Sequence, residues 1–152
     1  MKIGGTHQLA IPADRAYELL QDPAVLAKCM PGCEALDRIA ENEYAMRMKM
    51  TLASISGKFD GKVRITDPNP PHSFRLMVEG TGKIGFVKGE GLIALTPSDT
   101  GSTVTYDGDV QVGGLIANVG QRLIETTAKM LIKRFFETLA MQATASQRLA
   151  AD

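Results

Sequence analysis

Tryptophan is absent from this chain of 152 residues and aromatic residues make up only 5% of it, so the stacking platforms on which single-stranded bases are held are scarce. Net charge is missing as well. Seventeen basic residues cancel seventeen acidic ones, which removes the electrostatic footprint of a nucleic-acid binder, and no nucleic-acid partner is expected. No stretch approaches the roughly 18 apolar residues of a membrane span, and the opening MKIGGTHQLAI lacks the unbroken apolar core of a signal peptide. The expected location is the cytoplasm. Cysteine is limited to Cys29 and Cys33, too few for a disulfide framework and consistent with a reducing compartment. With His7 and His72 far away in sequence, these thiols do not assemble the four ligands of a structural zinc site. No metal or cofactor is expected, and the cysteines read as reduced structural thiols with no visible base to activate them.

What the chain does have is one long proline-free stretch from Gly113 to about Gln147. Ile116, Val119, Leu123, Thr127, Met130, Leu131, Phe135 and Leu139 recur at helical spacing, while Gln121, Arg122, Glu125, Lys129, Lys133 and Glu137 fall on the other side. The pattern predicts a helix with one face in water, roughly 45 Å long at about 1.5 Å per residue. Such an apolar face needs an equally long partner, and the five or six strands before it are the candidates. The length fits one domain over residues 1–147 with a short tail at 148–152.

Lys2 to Ile11 reads as a first strand, stopped by Pro12. A short amphipathic helix follows with Ala16, Leu19 and Leu20 inward, then a second with Asp22 as cap and Pro23 in its first turn, closed by Pro31-Gly32. From Glu34 onward the period changes to two. Tyr44, Met46, Met48, Met50 and Leu52 share one face, then Gly57, Phe59, Gly61, Val63 and Ile65. Asp67-Pro-Asn-Pro-Pro turns the chain into strands marked by Phe74, Leu76 and Val78, by Gly91, Ile93 and Leu95, and by Val104, Tyr106, Gly108, Val110 and Val112. This order gives an α+β fold, an antiparallel meander with one face covered by the long helix. Glycines at the inward positions 5, 57, 61, 91 and 108 let the sheet curl. Between a curled sheet and a straight helix, either side chains fill the gap or an apolar cavity remains.

Cys29-Met-Pro-Gly-Cys33, Gly57-Lys-Phe-Asp-Gly-Lys-Val63, Gly85-Phe-Val-Lys-Gly-Glu-Gly91 and Val112-Gly-Gly-Leu-Ile-Ala-Asn-Val-Gly-Gln-Arg-Leu123 together resemble the carbon monoxide dehydrogenase G-subunit family, of the START-like helix-grip superfamily. The resemblance covers about Met1 to Leu139. It implies a helix-grip fold, in which a curved antiparallel sheet wraps a long C-terminal helix and two short helices follow the first strand, with a hydrophobic cavity between sheet and helix. It also implies a noncatalytic accessory role beside a molybdenum hydroxylase of the carbon monoxide dehydrogenase type, including recruitment to the inner face of the membrane and handling of a quinone or other lipid. Some family members carry a long C-terminal extension thought to contact membrane; this chain stops at Asp152, so only weak peripheral contact is expected. Some helix-grip relatives are instead cyclases or dehydratases of aromatic substrates, for which His7 and Tyr106 would be the acid and base.

The residues read as cavity wall are His7, Tyr44, Met46, Met48, Met50, Phe59, Leu76, Val78, Phe86, Ile93, Tyr106, Val110, Leu123, Thr127, Met130 and Leu131. The alternate methionines suit either a flexible pocket wall or ordinary gap-filling. Phe86 has two readings, since Lys83-Ile-Gly-Phe-Val-Lys88 is either a hairpin tip that dips into lipid headgroups or a strand that points Phe86 into the core. Gly80-Thr-Gly-Lys-Ile-Gly85 has the letters of a dinucleotide fingerprint, but another strand follows where a helix is required, so it reads as a turn. Asp107 and Asp109 fall on the outward face of their strand, in water and away from any chemistry.

Overall fold

The computed structural model describes residues 1–52 and 54–151, with side chains described up to residue 143. Strand β1 (Lys2–Leu9) leads through Pro12 into α1 (Ala13–Gln21) and α2 (Pro23–Cys29). Asp22 caps α2 as its sequence predicts: its carboxylate accepts the Ala24 N–H at 2.9 Å and Pro23 occupies the first turn, where a missing N–H costs nothing. The turn after α2 is tied to the sheet. The Gly32 carbonyl accepts the Lys49 N–H at 2.8 Å, and Gly32 has φ +81° with the Lys49 carbonyl where a β-carbon would stand, so only glycine fits.

Six strands follow: β2 (Cys33–Ala40), β3 (Glu43–Leu52), β4 (Ile55–Asn69), β5 (Ser73–Gly82), β6 (Gly85–Ser98) and β7 (Gly101–Gly113). With β1 they form one seven-stranded sheet in the order β1-β7-β6-β5-β4-β3-β2, antiparallel at every pairing. Strand β2 is the element whose alternation is hidden in the sequence. Its register shifts twice, between Cys33 and Ala35 and between Arg38 and Ala40, and bulges of this kind twist an edge strand and break its two-residue period.

The long helix does not begin at Gly113. A 3-10 segment, Leu115–Val119, comes first, flanked by Gly114 at φ +78° and Gly120 at φ +100°, and α3 runs from Gln121 to Ala151. Ile116 of the 3-10 segment is fully buried beside Leu52 and Phe59, and its N–H donates to the Ile84 carbonyl at 2.9 Å. Within α3 the face turned to the sheet is centred on Ile124, Ala128, Leu131 and Phe135, with Thr127 and Ile132 beside them. Leu123 and Met130, expected inward, are 37% and 43% exposed.

Packing along α3 is uneven. Phe136, Leu139 and Ala143 are buried in the main core with Leu9, Ile11, Ala16, Leu20, Phe74 and Val104. No residue between Gln121 and Phe135 is fully buried, so this half of the helix spans an opening instead of resting on packed side chains.

Candidate functional site: a cavity under the long helix

Inward side chains stand in rows across the sheet because antiparallel partners share a face. One row is Phe74, Ile93, Tyr106 and Gly5, the next Ile65, Leu76, Gly91, Gly108 and Ile3, then Tyr44, Val63, Val78, Gly89 and Val110, then Met46, Gly61, Gly80, Val87 and Val112. Gly91 pairs with Gly108 and Gly61 with Gly80, so the middle of the concave face is bare backbone. A β-carbon at Gly108 would lie 2.4 Å from the Glu90 carbonyl oxygen, which shows how tightly the strands coil there.

The result is a cavity of about 360 Å³ between sheet, α2 and α3. Of the residues expected in its wall, Met48, Met50, Leu76, Val78, Ile93, Tyr106, Val110, Thr127 and Leu131 line it. Tyr44 and Met46 are instead buried in the core beside it, and Phe59 belongs to the separate cluster around Ile116. His7 stands behind the wall, its ring stacked on Phe136 at 4.3 Å and on Tyr106 at 5.8 Å between centroids.

Phe86 is neither wall nor core, which corrects the reading that points it inward. The hairpin turns on Lys83 and Ile84, since Gly82 pairs with Gly85, and Phe86 is already within β6 on the face opposite Val87. It is 43% exposed and lies over Gly113, whose β-carbon would collide with its ring. The apolar residue of the tip, Ile84, folds inward over Gly57 and packs beside Ile116. Leu123 and Met130 leave the wall because, at about 100° per residue, they fall on the flank of the face centred on Ile124, Ala128, Leu131 and Phe135.

Several wall residues escape a reading by alternation. Leu26, Met30 and Pro31 of α2 and its turn close one side, and Ile124, Ala128, Ile132 and Phe136 widen the helix face beyond the stripe through Thr127 and Leu131. Met30 and Pro31 lie inside the Cys29–Cys33 motif, the one sequence signal that bore on this wall.

Acidic side chains stay outside. Glu90 and Asp107 border the cavity next to Gly91 and Gly108, but alternation turns their carboxylates outward, and both are exposed, as is Asp109. Burial lowers the pKa of His7 against the opposing pull of Glu137 and raises that of Tyr106; both rings are therefore held neutral. The Cys29 thiol is buried and pushed up to about 11, and the Cys33 thiol, also raised by burial, donates to the Ala35 carbonyl at 3.4 Å. Neither is poised to react. Among the described residues no group of three or more His, Cys, Asp or Glu side chains gathers to hold a metal, and no helix is long and apolar enough to cross a membrane.

A curved antiparallel sheet gripping one long helix, with two short helices after the first strand, is the helix-grip fold. It is shared with the Zhui aromatase/cyclase from a Streptomyces species, at TM-score 0.71 and 16% identity over 99% of this chain and 97% of that one. The chain belongs to the carbon monoxide dehydrogenase G-subunit (CoxG) family, whose profile matches residues 5–144. A crystal structure of a conserved protein from Geobacillus kaustophilus is similar throughout, with 35% identity, TM-score 0.91, and 96% and 97% of the two chains covered. No curated protein matches the sequence.

Proposed function

We propose that this protein is a noncatalytic accessory protein that holds an apolar small molecule, a lipid or quinone, between sheet and helix and works beside a molybdenum hydroxylase of the carbon monoxide dehydrogenase type. The observation that carries the reading is the cavity itself, about 360 Å³ walled almost wholly by aliphatic and aromatic side chains. Apolar surface of that kind favours a guest that leaves water, and offers no charged group to stabilise a transition state. Membership of the CoxG family supports the partner. In this reading the ligand is collected by weak peripheral contact with a lipid surface at the inner face of the membrane, for which exposed Leu115 and Leu123 beside Arg122 supply apolar and cationic groups.

The enzymatic alternative needs His7 and Tyr106 to reach one substrate together. Tyr106 borders the cavity, whereas His7 is not among its lining residues and packs against Phe136 at 4.3 Å between ring centroids. The fold shared with an aromatase/cyclase favours that reading only at the level of architecture.

The test is thermal unfolding of the delipidated protein with added prenyl quinone or phospholipid. A ligand that binds only the folded state must raise the midpoint in a concentration-dependent way. No shift with either class, from a protein that also yields no lipid or quinone on organic extraction from its own host, contradicts the proposal.

A further inference from the structure

The sheet has two edges, β1 and β2, and they are finished differently. β2 carries two register shifts and packs against α2; bulges and covering elements are two of the devices that keep an edge from pairing with another chain. β1 has neither bulge nor proline. Its register against β7 runs without a shift from Lys2 to Leu9, and α3 meets it from the concave side, with Phe136 over His7.

The pairing with β7 shows which backbone groups of β1 are left over. Met1 and Val110 exchange both hydrogen bonds, at 2.9 and 2.8 Å. Such pairs alternate along an antiparallel ladder, so Ile3, Gly5, His7 and Leu9 also turn their N–H and C=O groups to β7. Lys2, Gly4, Thr6 and Gln8 turn theirs to the open side, where no described residue bonds them. All four are exposed, and in Gly4, which has no side chain, it is the backbone that meets water.

A straight row of unpaired donors and acceptors is a template for one more strand, and β1 itself has the matching chemistry. With two copies antiparallel about a twofold axis at Gly5, Lys2 lies opposite Gln8 of the second copy and Gly4 opposite its Thr6. All four open residues of each copy are then used, with about eight hydrogen bonds across the seam. Lys2 is the one charged residue of β1. This arrangement sets it against a neutral acceptor and about 20 Å from the other lysine. At the axis glycine meets glycine, so no side chains collide on the concave face.

We propose that β1 is a self-association surface: two copies of this chain pair their first strands antiparallel about Gly5 and join two seven-stranded sheets into one. The interface is isologous and closes at two copies. It is narrow, so the dimer is weak, because few contacts offset the freedom lost on association.

The test is sedimentation equilibrium of the full chain from about 10 µM to about 1 mM, where so small an interface dissociates, together with amide hydrogen exchange at both ends of that range. The expected result is a mass that rises from monomer to dimer, with exchange at Gly4, Thr6 and Gln8 slowing as it does while Ile3, Gly5 and His7 stay protected throughout. Thr6→Pro removes an N–H that points away from β7, a change tolerated at an edge, and should abolish the dimer. Gln8→Glu and Gln8→Lys keep every backbone donor and read the register even if the proline variant does not fold. At low salt the first should tighten and the second weaken the dimer about three- to tenfold, since each change acts against Lys2 twice.

A dimer that persists in folded Thr6→Pro, that leaves exchange at Gly4, Thr6 and Gln8 unchanged, or that responds equally to Gln8→Glu and Gln8→Lys, overturns the proposal. So does a monomer at every concentration, which leaves the edge to a strand of a different protein.

Discussion

His7 and Phe136 lie ring over ring, 4.3 Å between centroids and 18° between planes, and this contact joins the first strand of the sheet to the last helix. Phe136 also marks the point along α3 where packing changes. Toward the C-terminus the helix is held by Leu139 and Ala143 in the core, and toward the N-terminus it covers the cavity.

Truncation should therefore have very different costs at positions on the same helix. Phe136→Ala removes a buried ring from the stack and should cost about 3–5 kcal/mol. Met130→Ala and Leu123→Ala, on the exposed side, should each change stability by no more than about 0.5 kcal/mol. Urea unfolding midpoints check this, and a large loss in Leu123→Ala would restore the inward face that its sequence spacing suggests.

The glycines of the concave face should differ in the same way. A β-carbon at Gly89 would sit 3.6 Å from Val110 Cγ2, an ordinary contact, so Gly89→Ala should fold normally and gain up to about 1 kcal/mol from reduced freedom of the unfolded chain. At Gly108 the same carbon meets the Glu90 carbonyl oxygen at 2.4 Å, and Gly108→Ala should lower the thermal midpoint. Equal behaviour of the two variants in a melting comparison would mean that close strand approach is not what requires glycine at 108.

Acidification should loosen the stack. Burial holds the His7 pKa below its usual 6.5, so between that lowered value and 6.5 the unfolded chain binds a proton that the folded chain does not. Stability from this group is complete above 6.5 and falls as pH drops through the window. His7→Phe keeps a ring in the stack and removes the titration. Its thermal midpoint should fall less than that of the wild type between about pH 7 and about pH 5, and parallel losses would remove His7 as the cause.

The fold was legible in the sequence where its signals were local. Alternation in β3 through β7, the Asp22-Pro23 cap and the spacing of Thr127, Leu131, Phe135 and Leu139 each report a periodicity or a cap that neighbouring residues set. Strand β2 was obscured because bulges break its period; the start of α3 was missed because two positive-φ glycines, Gly114 and Gly120, interrupt a stretch whose spacing looks continuous across them; and Leu123 and Met130 were misplaced because they are apolar residues on the flank of the inward face. The cavity wall was legible on the strands and less so elsewhere. Leu26 and Met30 reach it only through the docking of α2 against β2 and α3, a tertiary contact without local signature, and Phe86 departs from it because the turn falls at Lys83-Ile84, placing Phe86 on the outer face.

The membrane contact proposed for ligand collection should be weak and salt-sensitive. Few apolar groups are exposed at the start of α3, and interfacial binding scales with the buried apolar area plus attraction to anionic lipid. Sedimentation with phosphatidylglycerol vesicles at low salt should bring down part of the wild type and less of Leu115→Ser/Leu123→Ser. Equal sedimentation of both would move the contact elsewhere.

The central claim is that the space under α3 is a binding site, and the most direct measurement is native mass spectrometry of the protein purified from its own host, comparing the wild type with Gly89→Leu. That substitution points a side chain into the cavity from a position where the backbone has room for a β-carbon. The account predicts a bound apolar molecule in the wild type that is released by organic solvent and is absent from Gly89→Leu, with the variant still folded by circular dichroism. The same bound mass in both proteins, or none in the wild type, would contradict it.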